Sequence, residues 1–221
     1  MDLASLLDPA SAAIVVAGTA LATVLRCGIG NCRAAICALS QLGGKGFDAE
    51  GTRAEMAVQV QEIQQDGLLR ARPHRFADRA FDEAADAMIG GRSVKALIAA
   101  HEAHKARRTE LARRASTTLA QASELAPVFG LAGTLVSLSQ LPASGIEQGA
   151  YADAISMAVL TTLYGLLLAN LVLAPLARLV ERSAAAEELE RDRIIDWLAW
   201  QIDRTLPRQR SMPVEPVDEA A

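Results

Sequence analysis

Aromatic residues make up only 4% of this 221-residue sequence, against 51% hydrophobic residues overall. Rings normally fill part of a water-soluble core, so an apolar excess built from Ala, Leu and Val points to a different solvent. Lysine and arginine are absent from the first 25 residues and again from residues 115–177, and the net charge is -4. That balance excludes a dedicated nucleic-acid binder, which needs concentrated cations to displace phosphate counterions. Only three cysteines occur, Cys27, Cys32 and Cys37. Spaced by five, each is turned about 140° from the last on a helix, so they share no face. They form no CxxC pair and read as reduced, structural thiols. The HEAH stretch at His101–His104 lacks the spacing of a zinc-binding helix and reads as a solvated, charged surface. GGKG at Gly43 lacks the remainder of a phosphate loop, and neither GxSxG nor paired catalytic carboxylates occur. An enzyme is therefore not expected, and neither is a cofactor or a metal.

What the chain does hold is three long apolar runs. Pro9 to Leu25 is free of charge for 17 residues, Leu125 to Ile146 for 22 and Ala154 to Ala177 for 24. A helix needs about 20 such residues to cross a bilayer, with roughly 17 as the lower limit, so the first run is short and the other two are ample. The first does not read as a secretory signal, because Met1–Asp8 carries two Asp and no cation. All 22 Lys and Arg lie between Arg26 and Arg114 or from Arg178 onward. By the positive-inside rule the N-terminus faces out, residues 27–121 are cytoplasmic, the second and third runs form a hairpin with a short outer loop, and the C-terminus is cytoplasmic.

Between the runs no segment alternates like a strand. Helix is expected throughout, broken at Gly43, Gly44 and Gly46, at Pro73, and at Gly90 with Gly91. Ser93 is a plausible N-cap for one long helix continuing to Gln140 with only Pro127 inside it. The third run should continue past Arg178 to about Arg204. The expected fold is an all-α membrane protein with three transmembrane helices and long helices extending into a cytoplasmic helical domain. Its expected segments are an outer stretch and first span (1–26), the cytoplasmic domain (27–121), the hairpin (122–177, with spans near 122–142 and 153–177), a cytoplasmic extension (178–205) and a disordered tail (206–221).

Inside the hairpin, Ala122, Ala126, Gly130 and Thr134 recur every four residues, as do Thr161, Gly165 and Ala169. Small residues at that spacing let helices approach closely in lipid. Thr134 and Thr162 suit a hydrated path as well, since a hydroxyl in hydrocarbon needs a partner. Neither span holds a titratable group: none of Asp, Glu, His, Lys or Arg lies between Glu124 and Glu147 or between Asp153 and Arg178. If ions cross here, the group that changes charge must come from a partner helix.

Two stretches resemble the MotA/TolQ/ExbB proton-channel family. ELAPVFGLAGTLVSL (Glu124–Leu138) is similar to the family's penultimate span, with Pro127, Gly130, Gly133 and Thr134. ISMAVLTTLYGLLLANLVLAPLARLVER (Ile155–Arg182) is similar to its last, with Thr162 ahead of Gly165, then Asn170 and Pro175. DPASAAIVVAGTALATVL (Asp8–Leu25) looks like the second span of the four-span, flagellar branch, and QQDGLL (Gln64–Leu69) looks like that branch's torque helix. The resemblance implies an ion path at Thr134, Thr161 and Thr162. It implies helix packing at Ala126, Pro127, Gly130, Gly133, Gly165, Ala169, Asn170 and Pro175, and force transmission around Gln64, Gly67, Arg70 and Arg72. It further implies a homo-oligomer, a pentamer, around a single-span MotB/TolR/ExbD-like partner with a membrane Asp, set in the lipid of the bacterial inner membrane. The four-span branch's first helix is missing, and Gln64 and Arg72 stand where its torque helix carries Arg and Glu. Three spans with the N-terminus outside are the layout of the TolQ/ExbB branch, which energises envelope processes. The chain is thus expected to be the channel wall of a proton-driven motor, an envelope energiser or stator-like unit; the alternatives are an oligomeric membrane scaffold that conducts nothing and, within the family, a flagellar stator subunit.

Overall fold

A computed structural model describes residues 8–44, 46–66, 75–76, 78–139 and 148–204, with backbone alone at 63–66, 148–150, 153 and 203. All regular structure among these residues is helical: α1 (Pro9–Cys27), α2 (Ile29–Leu42), α3 (Ala49–Asp66), α4 (Arg79–Gly91), α5 (Val94–Ser139), α6 (Gln148–Leu167) and α7 (Ala174–Asp203). A π-helical stretch, Leu168–Leu173, joins α6 to α7. Among the described residues three helices are long and apolar enough to cross a membrane: Pro9–Cys27, one within Val94–Ser139, and one within Ala154–Ile202.

Local chemistry sets the helix ends. The Asp8 carboxylate accepts the amides of Ala10 and Ser11, each at 3.1 Å, and Pro9 follows where no amide is needed. Gly28 closes α1 with φ 81°, its N–H donating to the Val24 carbonyl. Asp78 caps α4 by accepting from Ala80 at 2.8 Å, and the Ser93 hydroxyl accepts from Lys95 ahead of α5. The break expected at Gly90 and Gly91 falls one residue later, because both glycines stay helical and Arg92 takes the left-handed turn with φ 48°. A Cβ on Gly91 would stand 2.9 Å from that of Ala96, so the last helical position is kept to glycine. The third run also differs from the single α-helix expected. Pro175 has no amide to donate and its ring crowds the preceding turn, so the helix widens just before it, the Ala174 N–H donating to Ala169.

The chain divides into two compact units, one of residues 1–47 with 105–189 and one of residues 48–104 with 190–221. In the first, α1 turns a stripe of Ser11, Val15, Thr19 and Thr23 inward. Further along, Ala35 of α2 is buried with Ala115 and Leu119 of α5 and Ala177 and Val180 of α7. The core of the second unit includes Met56 from α3, Phe81, Ala84 and Met88 from α4, Leu97 from α5, and Ile194, Leu198 and Ile202 from α7.

Candidate functional site

The first unit is built around a seam between α5 and α6. Gly130 faces Gly165 so closely that a Cβ on Gly165 would lie 2.7 Å from the Ala126 carbonyl oxygen and 3.0 Å from the Gly130 Cα. One on Gly133 would meet the Thr161 side chain at 2.8 Å. Backbone against backbone is the contact that small residues permit in lipid, where no hydrophobic force drives helices together. Ala126, Gly130, Gly133, Gly165 and Ala169 are all buried. Asn170 and Pro175 are exposed, the Asn170 amide donating to its own helix at Leu166, so neither packs within one chain. On the other side, Gly18 of α1 seats the Phe129 ring of α5, a contact that the sequence reading missed although AGT at Ala17–Thr19 offered the small residues for it.

Beside the seam runs an open groove of about 470 Å³, lined by Thr134 and Leu138 of α5 and by Ile155, Ala158, Val159, Thr162, Leu163 and Leu166 of α6. It is apolar except for the two threonines, which the fold brings to one place from positions 28 residues apart. The third residue expected on the path does not reach it. Thr161 has no exposed surface and sits in the seam against Gly133, since adjacent helix positions are turned by about 100°. The hydroxyls are already occupied as donors: Thr134 bonds the Leu131 carbonyl at 2.6 Å, Thr162 that of Ala158 at 3.3 Å and Thr161 the same oxygen at 2.9 Å. A threonine donating to its own helix keeps its oxygen lone pairs free to accept, so the groove presents acceptors on an apolar wall.

Elsewhere, no group of three or more His, Cys, Asp or Glu among the described residues could hold a metal. The three cysteines are free, and the Cys27 thiol donates to the Gln121 side chain at 3.0 Å. The HEAH stretch is not the solvated surface expected. His101 is 4% exposed, stacked on Phe81 and 3.0 Å from Asp192, while His104 stands 2.9 Å from Glu83. The sequence hid this because the partners lie on α4 and α7. Of the expected torque residues, Gly67, Arg70 and Arg72 lie outside the described residues, as does the side chain of Gln64.

Comparison with known proteins finds that the model of the MotA/TolQ/ExbB proton channel family matches residues 71–193, more than half the chain and all of the groove. The chain belongs to the MotA/TolQ/ExbB proton channel family. Among its relatives is the chemotaxis protein PomA of Vibrio alginolyticus, 25% identical over 206 residues covering 91% of this chain and 80% of PomA. Motility protein A of Cereibacter sphaeroides is 26% identical over 69% of this chain and 60% of its own length. The fold is shared with the flagellar MotAB stator complex from Bacillus subtilis, with a TM-score of 0.76 at 19% identity over 97% of this chain and 88% of that one. C. jejuni MotAB matches with a TM-score of 0.71 at 17% identity, over 93% and 87%. Family membership and three helices of spanning length make this a bacterial inner-membrane protein of the proton-channel type. One relative carries a chemotaxis name and the other a motility name, whereas the three-span layout alone pointed to the envelope-energising branch.

Proposed function

We propose that the chain is the channel-wall subunit of a proton-driven motor complex, stator-like in kind, with the α5–α6 groove facing one apolar helix of a single-span partner. The observation that carries this reading is the meeting of Thr134 and Thr162 on an otherwise apolar groove in spans free of titratable groups. Acceptor oxygens suit a neighbour that arrives protonated: a carboxylic acid has an O–H to donate, and the carboxylate left after release does not. An ionised Asp in the membrane costs roughly 2.5 to 3.5 kcal/mol, so protonation alters its fit against the wall. Each proton crossing the full potential supplies about 2.3 kcal/mol per 100 mV, enough to bias a step of one helix bundle against another. The motility name of the Cereibacter sphaeroides relative and the shared fold of the flagellar MotAB stator complex support motor drive as the work performed.

The rest of the reading follows the charge map and the family. The N-terminus lies outside and residues 27–121 and 178–205 inside. Copies of the chain close into a ring of five, for which the exposed Asn170 and Pro175 remain available, and force leaves through the segment around Gln64, Gly67, Arg70 and Arg72. Thr162→Val keeps shape while removing the hydroxyl. It should leave assembly intact and cut proton flux several-fold in vesicles holding the whole complex, with Thr134→Val acting likewise. Unchanged flux in both would leave the groove a packing surface with the ions crossing elsewhere, and no flux above background from the wild-type complex would favour the non-conducting scaffold. Flux from the purified chain alone at the rate of the full complex would contradict the need for a partner acid.

A further inference from the structure

On α5, the face that carries Thr134 continues inward through Pro127 and Ser123, seven and eleven residues away and so nearly in line on a helix of 3.6 residues per turn. Pro127 has no amide, so the helix does not supply the donor that would reach the Ser123 carbonyl four residues earlier. The Ser123 hydroxyl donates to Ala120 at 2.7 Å. Next to this polar turn stands Glu124, about 15 Å along the helix from Thr134 at 1.5 Å per residue. It is the sole carboxylate on α5 between Glu110 and the outer end of that helix, and between Asp153 and Glu181 the other arm has none. Its Oε2 lies 3.9 Å from Arg26 at the end of α1, with the Glu124 side chain 67% exposed and that of Arg26 53%. A pair so long and so open holds its carboxylate loosely.

We propose that Glu124 is the residue of this chain that takes the proton from the path on its inner side. The step is a plain transfer: an O–H bond forms on the Glu124 carboxylate as one breaks in a hydronium ion of the path, leaving water. That O–H bond then breaks toward water on the inner side and the carboxylate is restored. This rests on the conducting reading of the groove, and the test separates the two.

The bland role for Glu124 is to tie α5 to α1, and Arg26 is the control for it. Proton uptake would be followed with an entrapped pH dye in membrane vesicles from the source bacterium carrying each variant as its only copy, normalised to assembled complex on native gels. Glu124→Gln should lower flux to about a tenth or less, the scale of losing a positioned proton carrier. Glu124→Asp should restore at least about half, and Arg26→Gln should also retain at least about half. Wild-type flux in Glu124→Gln, or equal loss in Glu124→Gln and Arg26→Gln, would overturn the proposal. If Glu124→Gln conducts normally while Thr162→Val does not, the groove stands and Glu124 falls; if all conduct normally, both fall.

Discussion

The two units of this chain solve the same packing problem with opposite materials. In the first, α5 and α6 meet at Gly130 and Gly165, with backbone atoms near 3 Å from where a Cβ would be. In the second, Phe81, Met56, Met88, Leu97 and Ile202 are at most 1% exposed, and charges are folded in among them. Arg191, 7% exposed, lies over the Phe81 ring at 5.4 Å and bonds Asp78 at 2.7 Å; Arg53 covers Trp197 at 5.2 Å. Where water is the alternative solvent, large apolar groups supply the driving force and paired charges fix the register. Where lipid is the alternative, burying a leucine gains nothing, and what stabilises is close approach of backbones, with the hydroxyls of Thr134, Thr161 and Thr162 bonded to their own helices.

Substitutions can break that contrast from either side, and Trp197 and Trp200, the only tryptophans and both in the second unit, report on that unit alone. The largest loss should come from Asp78→Ala. It removes the acceptor of a buried guanidinium and the N-cap of α4 together, costing about 3 kcal/mol or more in tryptophan-detected unfolding. Gly165→Ala should cost about 1–3 kcal/mol by forcing α5 away. Loss of far-UV circular dichroism in an SDS titration should come earlier while the tryptophan transition stays in place; a shift of both would show the seam to be less local than its geometry implies.

Acid gives a third, smaller effect. Burial would raise the Asp78 pKa, but the bond and charge of Arg191 and the amides of Ala80 and Phe81 outweigh it and hold the carboxyl below its ordinary 3.8. A depressed value means stability that is present above the ordinary pKa and lost as pH falls through the lowered one. The tryptophan transition should therefore weaken as pH falls through 3.8 and below, and Asp78→Asn should flatten that dependence. Smallest of all is Glu110→Gln. Arg113 and Arg114 bond this carboxylate and hold its pKa at about 2, yet it is exposed on the helix surface, and no measurable change in either transition is expected.

Much of this was legible in order along the chain. The three apolar runs, the breaks after Leu42 and before Ser93, the cap at Ser93 and the length of α5 follow from composition and from local rules of helix start and stop, because those act over a few neighbouring residues. The four-residue stripes named the seam for the same reason: helical periodicity is a local property. The widening before Pro175 could have been read from that proline and was not. Which hydroxyl faces which surface was another matter. Thr161 and Thr162 are adjacent and chemically identical, and only the position of Gly133 on another helix buries the first and leaves the second in the groove. His101 became a core residue because Phe81 and Asp192, 20 and 91 residues away, close around it. Sequence alone determined that the chain would be helical, which runs would be long and apolar enough to cross a membrane and that the hairpin would bring no acid of its own between Glu124 and Glu147 or between Asp153 and Arg178, since hydropathy and charge are sums over local residues. The tertiary structure alone decided which groups share a surface, since that depends on the crossing of helices whose contacts are remote in the chain.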